Sequence, residues 1–142
     1  MDWRIEELDS DTARRLDRLH PEVFDNAIVP EQLRAFIDDP RHLLFMAIVD
    51  DVVVGMASGV EYFHPDKRPN LWINEVGVAP DFQCRGIGRA LVGELLDAAR
   101  SRGCKEAWLG TEPDNDAANA CYRAVPDVED AEPFLLYEWE LD

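Results

Sequence analysis

The chain has 142 residues, room for about one domain and no second catalytic unit, since a folded unit takes roughly 100–200 residues. Fourteen Lys and Arg against thirty Asp and Glu leave a net charge of −16, which repels phosphate backbones and anionic lipid and argues against nucleic acid and membrane as partners. No apolar run is long enough to cross a bilayer and residues 1–7 lack the blocks of a signal peptide, so a cytoplasmic protein with one domain over 1–142 is expected.

In chain order, Trp3 to Glu6 predicts a short first strand. Ser10 or Asp11 can cap a helix carrying Ala13, Leu16 and Leu19 that His20-Pro21 ends, because the residue before proline disfavours helical geometry. Pro30 opens a second helix with Leu33, Phe36 and Ile37 on one side, stopping near Asp39-Pro40. Leu43–Val49 and Val52–Ala57 flank Asp50-Asp51 as a hairpin, the second run continuing toward Tyr62. After a polar loop, Leu71–Val78 reads as a strand with a carboxylate, Glu75, inside it.

From Gly86 the period changes. Ile87, Leu91, Leu95 and Ala99 form an i, i+4 stripe widened by Val92 and Leu96, and Gly103 suits the position just past a helix end. Ala107–Gly110 is a short strand, Asp114–Arg123 a short helix, and Phe134–Leu141 a closing strand. This order predicts an α/β protein with a mixed central sheet flanked by about four helices, not a Rossmann alternation.

Cys84, Cys104 and Cys121 have no CxxC or CxxH spacing, and His20, His42 and His64 form no HExxH, so neither disulfides nor a metal site is indicated. The acidic field would concentrate cationic small molecules or polyamines; with two lysines, Lys67 and Lys105, beside twelve arginines, the composition also suits solubility in high salt, which is the preferred reading of the surface charge.

Gln83-Cys84-Arg85-Gly86-Ile87-Gly88-Arg89-Ala90 lies between a strand and the start of the longest helix, where unpaired N–H groups and the helix dipole favour an anion. Glycines at 86 and 88 remove side chains that would keep a phosphate off that backbone, and Arg85 and Arg89 add two guanidinium groups. No GKS or GKT follows, and Leu91 stands where the third Rossmann glycine would be.

This segment resembles the acetyl-CoA signature of the GNAT N-acetyltransferases, Gln/Arg-x-x-Gly-x-Gly/Ala, through Gln83, Gly86 and Gly88. Asn115-Asp116-Ala117-Ala118-Asn119-Ala120-Cys121-Tyr122 resembles that family's Asn…Ala…Leu-Tyr segment, with Asn115 and Tyr122 in register. The stretch Glu75–Tyr122 and Tyr137–Leu141 look most similar to the aminoglycoside 3-N-acetyltransferase branch. After Tyr122 the chain departs from the family's Lys-Leu-Gly-Phe-like turn.

The resemblance implies acetyl-CoA as donor, its pantetheine arm along Val76, Gly77 and Val78 and its pyrophosphate on the N–H groups from Arg85 to Ala90, including Ile87 and Gly88. It implies Glu75 as the base, directly or through water, and Tyr122 as the acid. Glu112, Asp114 and Asp116, with the acidic 129–132 loop, would hold a cationic amine, an aminoglycoside first, by charge-assisted hydrogen bonds. A peptide amine or polyamine acceptor, and a non-catalytic acyl-CoA sensor, are the competing readings. A homodimer through the last strand is a further expectation from the resemblance.

Overall fold

The computed structural model describes residues 2–142. Five strands form one sheet in the order β1 (Arg4–Glu7), β2 (His42–Val49), β3 (Val52–Tyr62), β4 (Asn70–Val78) and β5 (Ala107–Trp108). Neighbours are antiparallel except β4 and β5, which run parallel. The α-helices are α1 (Pro30–Asp38), α2 (Ile87–Ser101) and α3 (Asp116–Arg123). The mixed sheet matches the sequence expectation. Among the described residues the helices are three α-helices and two 3-10 turns where about four were expected, and none is long and apolar enough to cross a membrane.

The β2–β3 hairpin turns where expected. Asp50 and Asp51 both take positive φ, 49° and 64°, the backbone of a two-residue turn whose twist matches the strands. β2 is buried on both faces, so it reads as an unbroken apolar run. Leu43, Phe45, Ala47 and Val49 face α2, meeting Ile87, Leu91, Val92, Leu95 and Ala99. Leu44, Met46 and Ile48 face the opposite layer, which holds Leu16, Leu19, Leu33 and Phe36.

The helix expected after Ser10 is instead a 3-10 turn, Ala13–Asp17, entered through Thr12. Side chains hold the backbone in a turn: Asp9 Oδ1 accepts from the N–H groups of Asp11 and Thr12, and the Thr12 hydroxyl donates to the Glu7 carbonyl. The chain is then drawn out along β3, with Val53 N–H donating to the Arg18 carbonyl and His20 N–H to the Val53 carbonyl. The last helix starts at Asp116, capped by Asn115, two residues later than the sequence suggests.

Residues 134–141 are not a strand. Their alternating pattern needs a neighbour. β5, expected over four residues, pairs for only two, and the connection to this segment carries Pro126, Pro133 and a left-handed Asp127 (φ 65°). Leu135, Tyr137, Trp139 and Leu141 therefore stand in solvent.

Candidate active site

β4 and β5 pair only at Leu71 with Ala107 and Trp72 with Trp108. Beyond that, β4 continues to Val78 while the chain leaves β5 through Leu109, Gly110 and Thr111, and a cleft of about 410 Å³ opens between them. On the side away from β3, the backbone of residues 73–78 meets no strand among the described residues. Such an edge can hydrogen-bond an extended ligand as it would another strand.

A bulge sets what this edge displays. Ser58 pairs with Glu75 and the next residue, Gly59, with Ile73, leaving Asn74 extra. Two consecutive side chains, Asn74 and Glu75, are then exposed and both line the cleft.

The cleft's other wall is the loop after His20. A Cβ on Gly77 would stand 2.5 Å from the Val23 carbonyl oxygen, so only glycine lets the loop backbone lie on β4 there. Buried Val23 anchors the loop, and Glu22 and Asp25 on either side of it line the cleft with Glu75. No Lys or Arg lines it, and none of these three carboxylates has an ion-pair partner among the described residues. The cleft is a cation site by electrostatics.

At the cofactor turn, Cys84 and Gly86 take left-handed φ of 62° and 87°. Gly86 is the N-cap of α2 and supplies no side chain, while Ala90 N–H already bonds the Gly86 carbonyl at 3.0 Å. The N–H groups of Ile87, Gly88 and Arg89 are left at the positive end of the helix, a place for an anion; Ala90, expected among the donors, is spent on the helix. The Ile87 side chain is core.

Gly88 has a second reason for being glycine: a Cβ there would lie 3.0 Å from Cys121 Sγ of α3. Arg85 folds back on the preceding turn, donating to the Asp81 carbonyl (3.2 Å) and lying over the Phe82 ring. Arg89 Nη2 lies 3.7 Å from where a Gly86 Cβ would stand, so its guanidinium hangs over the turn. Gln83 lines the cleft and its side-chain amide donates to the Val78 carbonyl at 3.0 Å, closing the last acceptor of β4.

From α3, Asn115, Ala118 and Tyr122 reach the cleft. Asn115 Oδ1 caps the helix by accepting from Ala118 N–H (3.1 Å). The half-buried Tyr122 hydroxyl bonds no protein group among the described residues. Burial, with Cys121 beside it, pushes its titration above the ordinary phenol value, so it stays protonated and able to donate.

Val76, Gly77, Val78, Glu75, Gln83, Asn115 and Tyr122 thus meet at one cleft, with the 85–90 turn at its end. Glu112, Asp114 and Asp116 do not reach it. All three are exposed: the Glu112 carbonyl accepts from Asn119 Nδ2, the Asp114 carbonyl from Asp116 N–H, and Asp116 sits in the first turn of α3 where its charge suits the dipole. Glu22, Asp25 and Thr111 are there in their place, and sequence reasoning missed them. A smaller depression of about 300 Å³ beside β1 is lined by Asp2, Arg4, Asp50 and Asp51, with Arg4 and Asp51 paired at 3.7 Å.

Similarity to known proteins agrees with this geometry. Residues 4–125 match the acetyltransferase (GNAT) family. The chain is 49% identical over 53 residues to N-alpha-acetyltransferase RimI of Mycobacterium tuberculosis, covering 37% of this chain and 32% of that one. It is 26% identical over 97 residues to aminoglycoside N(6')-acetyltransferase type 1 of Salmonella typhimurium, covering 66% of each. The alignments thus span about a third to two thirds of these relatives' lengths. The solved structure of AAC(6')-Iy in complex with the bisubstrate analog CoA-S-monomethyl-acetylneamine superposes with a TM-score of 0.80 at 18% identity, over 99% of this chain and 100% of that one, a likeness of fold. The aminoglycoside enzymes among these are of the 6'-N type, and the narrower 3-N likeness read from the sequence gains no support from them. With the match running over most of its length, the chain belongs to the GNAT acetyltransferase family.

Proposed function

We propose that this chain is an acetyl-CoA-dependent N-acetyltransferase acting on a primary amine of a cationic small molecule, with an aminoglycoside as leading acceptor. The observation that carries the reading is the gap between β4 and β5. It sets a free strand edge, a protonated tyrosine and three carboxylates without ion-pair partners among the described residues around one cleft, beside a helix N-terminus that no side chain caps.

The residues suit acetyl-CoA: N–H groups of Ile87, Gly88 and Arg89 for the pyrophosphate, the edge at Val76–Val78 for the pantetheine amides. When bound, it supplies the acetyl group as a thioester. Glu75 takes a proton from the acceptor ammonium, directly or through water, so that the amine can form the new C–N bond. A backbone N–H near Val78 faces the carbonyl oxygen as charge builds on it. Tyr122 gives its proton to the sulfur as the C–S bond breaks and regains one from solvent. With a thiol pKa near ~8.5 the leaving group needs little help, so Tyr122 assists more than it enables. Glu22 and Asp25 hold the remaining ammonium groups of the acceptor.

The test is thiol release from acetyl-CoA with aminoglycosides, polyamines and short peptides, at low and molar salt. Release with aminoglycosides, lost in Glu75→Gln, is expected. Product analysis then separates 3-N from 6'-N acetylation; the 3-N outcome rests on the likeness of Glu75–Tyr122 and Tyr137–Leu141, the 6'-N outcome on the relatives. Peptide N-termini are in the panel because one relative is an N-alpha-acetyltransferase. Tight acetyl-CoA binding without turnover on any amine would refute catalysis and leave a sensor.

A further inference from the structure

The face of the sheet that carries Glu75 does not end at the cleft. Cross-strand partners share a face. Glu75 pairs with Ser58 and Ser58 with Leu44, on the side that holds α1. Trp72 pairs with Val60 and Val60 with His42, whose ring meets Phe36 of α1 with centroids 5.3 Å apart. Trp72 and Glu75 therefore stand on one face, roughly 10 Å apart along β4 at about 3.3 Å per residue.

Trp108 of β5 pairs with Trp72, and the two rings meet edge to face with centroids 4.5 Å apart. Trp108 stays half exposed. Its one polar atom, Nε1–H, donates to the Tyr62 hydroxyl, so what it shows to solvent is ring surface and not a hydrogen-bond donor. Two residues past Trp108, Gly110 lies under the exposed Phe134 ring, which a Cβ there would meet at 2.7 Å. Aromatic rings thus border the acidic cleft at its closed end, through Trp72 and Trp108, and on its β5 wall, through Phe134.

On the acetyltransferase reading of the cleft, on which this rests, we propose that Trp72, Trp108 and Phe134 form a distal subsite for the acceptor. It takes a second, ammonium-bearing ring of a polyamine whose reacting amine lies at Glu75. The platform is continuous with the cleft, since Ile73 and Leu109, which line it, directly follow Trp72 and Trp108. Charge selects the class of molecule. Glu22, Asp25 and Glu75 suit several ammonium groups, and an aromatic face attracts a cation. A one-ring amine held at Glu75 is too short to reach Trp108. A linear polyamine spans the distance but must freeze its rotatable bonds to do so. The subsite therefore favours a rigid polycation of two or more rings.

Thiol release from acetyl-CoA by the full chain, with aminocyclitols and aminoglycosides of one, two and three rings and with spermine, tests this. Acceptor kcat/KM should rise with the second ring and exceed that for spermine. Trp108→Ala should raise KM for the two- and three-ring acceptors about tenfold at unchanged kcat, and for the one-ring acceptor less than twofold. Trp108→Phe, which keeps a ring face, should recover most of the loss. Should Trp108→Ala fail to fold by circular dichroism, Phe134→Ala removes an exposed ring, and about a threefold rise in KM for the same acceptors is expected. Equal losses on one-ring and three-ring acceptors would make the ring a support of the cleft, and no loss on any would leave the platform unused. Either result overturns the proposal, while the turnover itself keeps the acetyltransferase reading. A loss confined to peptides with a bulky third residue overturns it in favour of a peptide acceptor. Turnover of no amine refutes the acetyltransferase reading and the subsite with it.

Discussion

Gly77→Ala tests the contact that joins the two walls of the cleft. The added Cβ would stand 2.5 Å from the Val23 carbonyl oxygen, about an ångström short of an unstrained contact. The obstacle is backbone, and Val23 is anchored by its own buried side chain, so the loop must lift from β4. Overpacking of this kind costs about 1–3 kcal/mol. At about 2 cal/mol/K per residue of unfolding entropy this lowers the melting temperature by roughly 3–10 °C. Glu22 and Asp25 move with the loop, and a misplacement near 1 Å costs up to about 100-fold in rate. The backbone edge of β4 lies in the plane of the sheet and is left in place. Acceptor kcat/KM should therefore fall about 10- to 100-fold while acetyl-CoA affinity by calorimetry changes little. An unchanged acceptor kcat/KM alongside a lowered melting temperature would show that the loop is no wall of the acceptor site; acetyl-CoA affinity falling in parallel would show that Gly77 serves the donor.

Gly88→Ala should destabilise by about 1–2 kcal/mol, overpacking against Cys121 outweighing the helix propensity gained, and Gly88→Ala in a Cys121→Ala background should cost nothing, a coupling read from melting curves. Glu22→Gln with Asp25→Asn should raise the KM for a polycationic acceptor about tenfold at low salt and less at molar salt, with acetyl-CoA affinity unchanged in the same titrations. For Tyr122, a raised phenol pKa places loss of the proton, and with it an alkaline fall in kcat, above pH 10; Tyr122→Phe should lower kcat about tenfold and abolish that alkaline limb in the pH profile.

What the sequence discloses here is what is local. The Asp50-Asp51 turn, the i, i+4 stripe of α2 and the change to helical period after Gly86 each depend on a few adjacent residues, and each is found where expected. Glu75 and Tyr122, chosen from the strand before the glycine turn and from the Asn115–Tyr122 segment on the family likeness, both line the cleft. Glu22 and Asp25 were not: what brings them to the cleft is a contact with Gly77, more than fifty positions along the chain, and nothing periodic marks it. The carboxylates that did stand near the motif, Glu112, Asp114 and Asp116, face solvent because Asn115 and Asn119 turn that loop's backbone inward to cap α3. The 134–141 segment, read as a closing strand, is none: an alternating pattern states a need for a neighbour and does not supply one.

The two-residue pairing of β5 also sets how the molecule comes apart. β2, β3 and β4 form a meander with long neighbouring registers, whereas β5 pairs with the sheet at Leu71 and Trp72 and is otherwise tied to it by the bonds of Lys105 N–H to the Pro69 carbonyl and Glu106 N–H to Asn70 Oδ1. Local opening is therefore cheapest at β5 and α3, the unit that carries Asn115 and Tyr122. A ligand lying between β4 and β5 spans the weak seam. A bound donor would then act as a strut, raising protection of α3 in hydrogen exchange by mass action and steadying Tyr122 where it already lines the cleft.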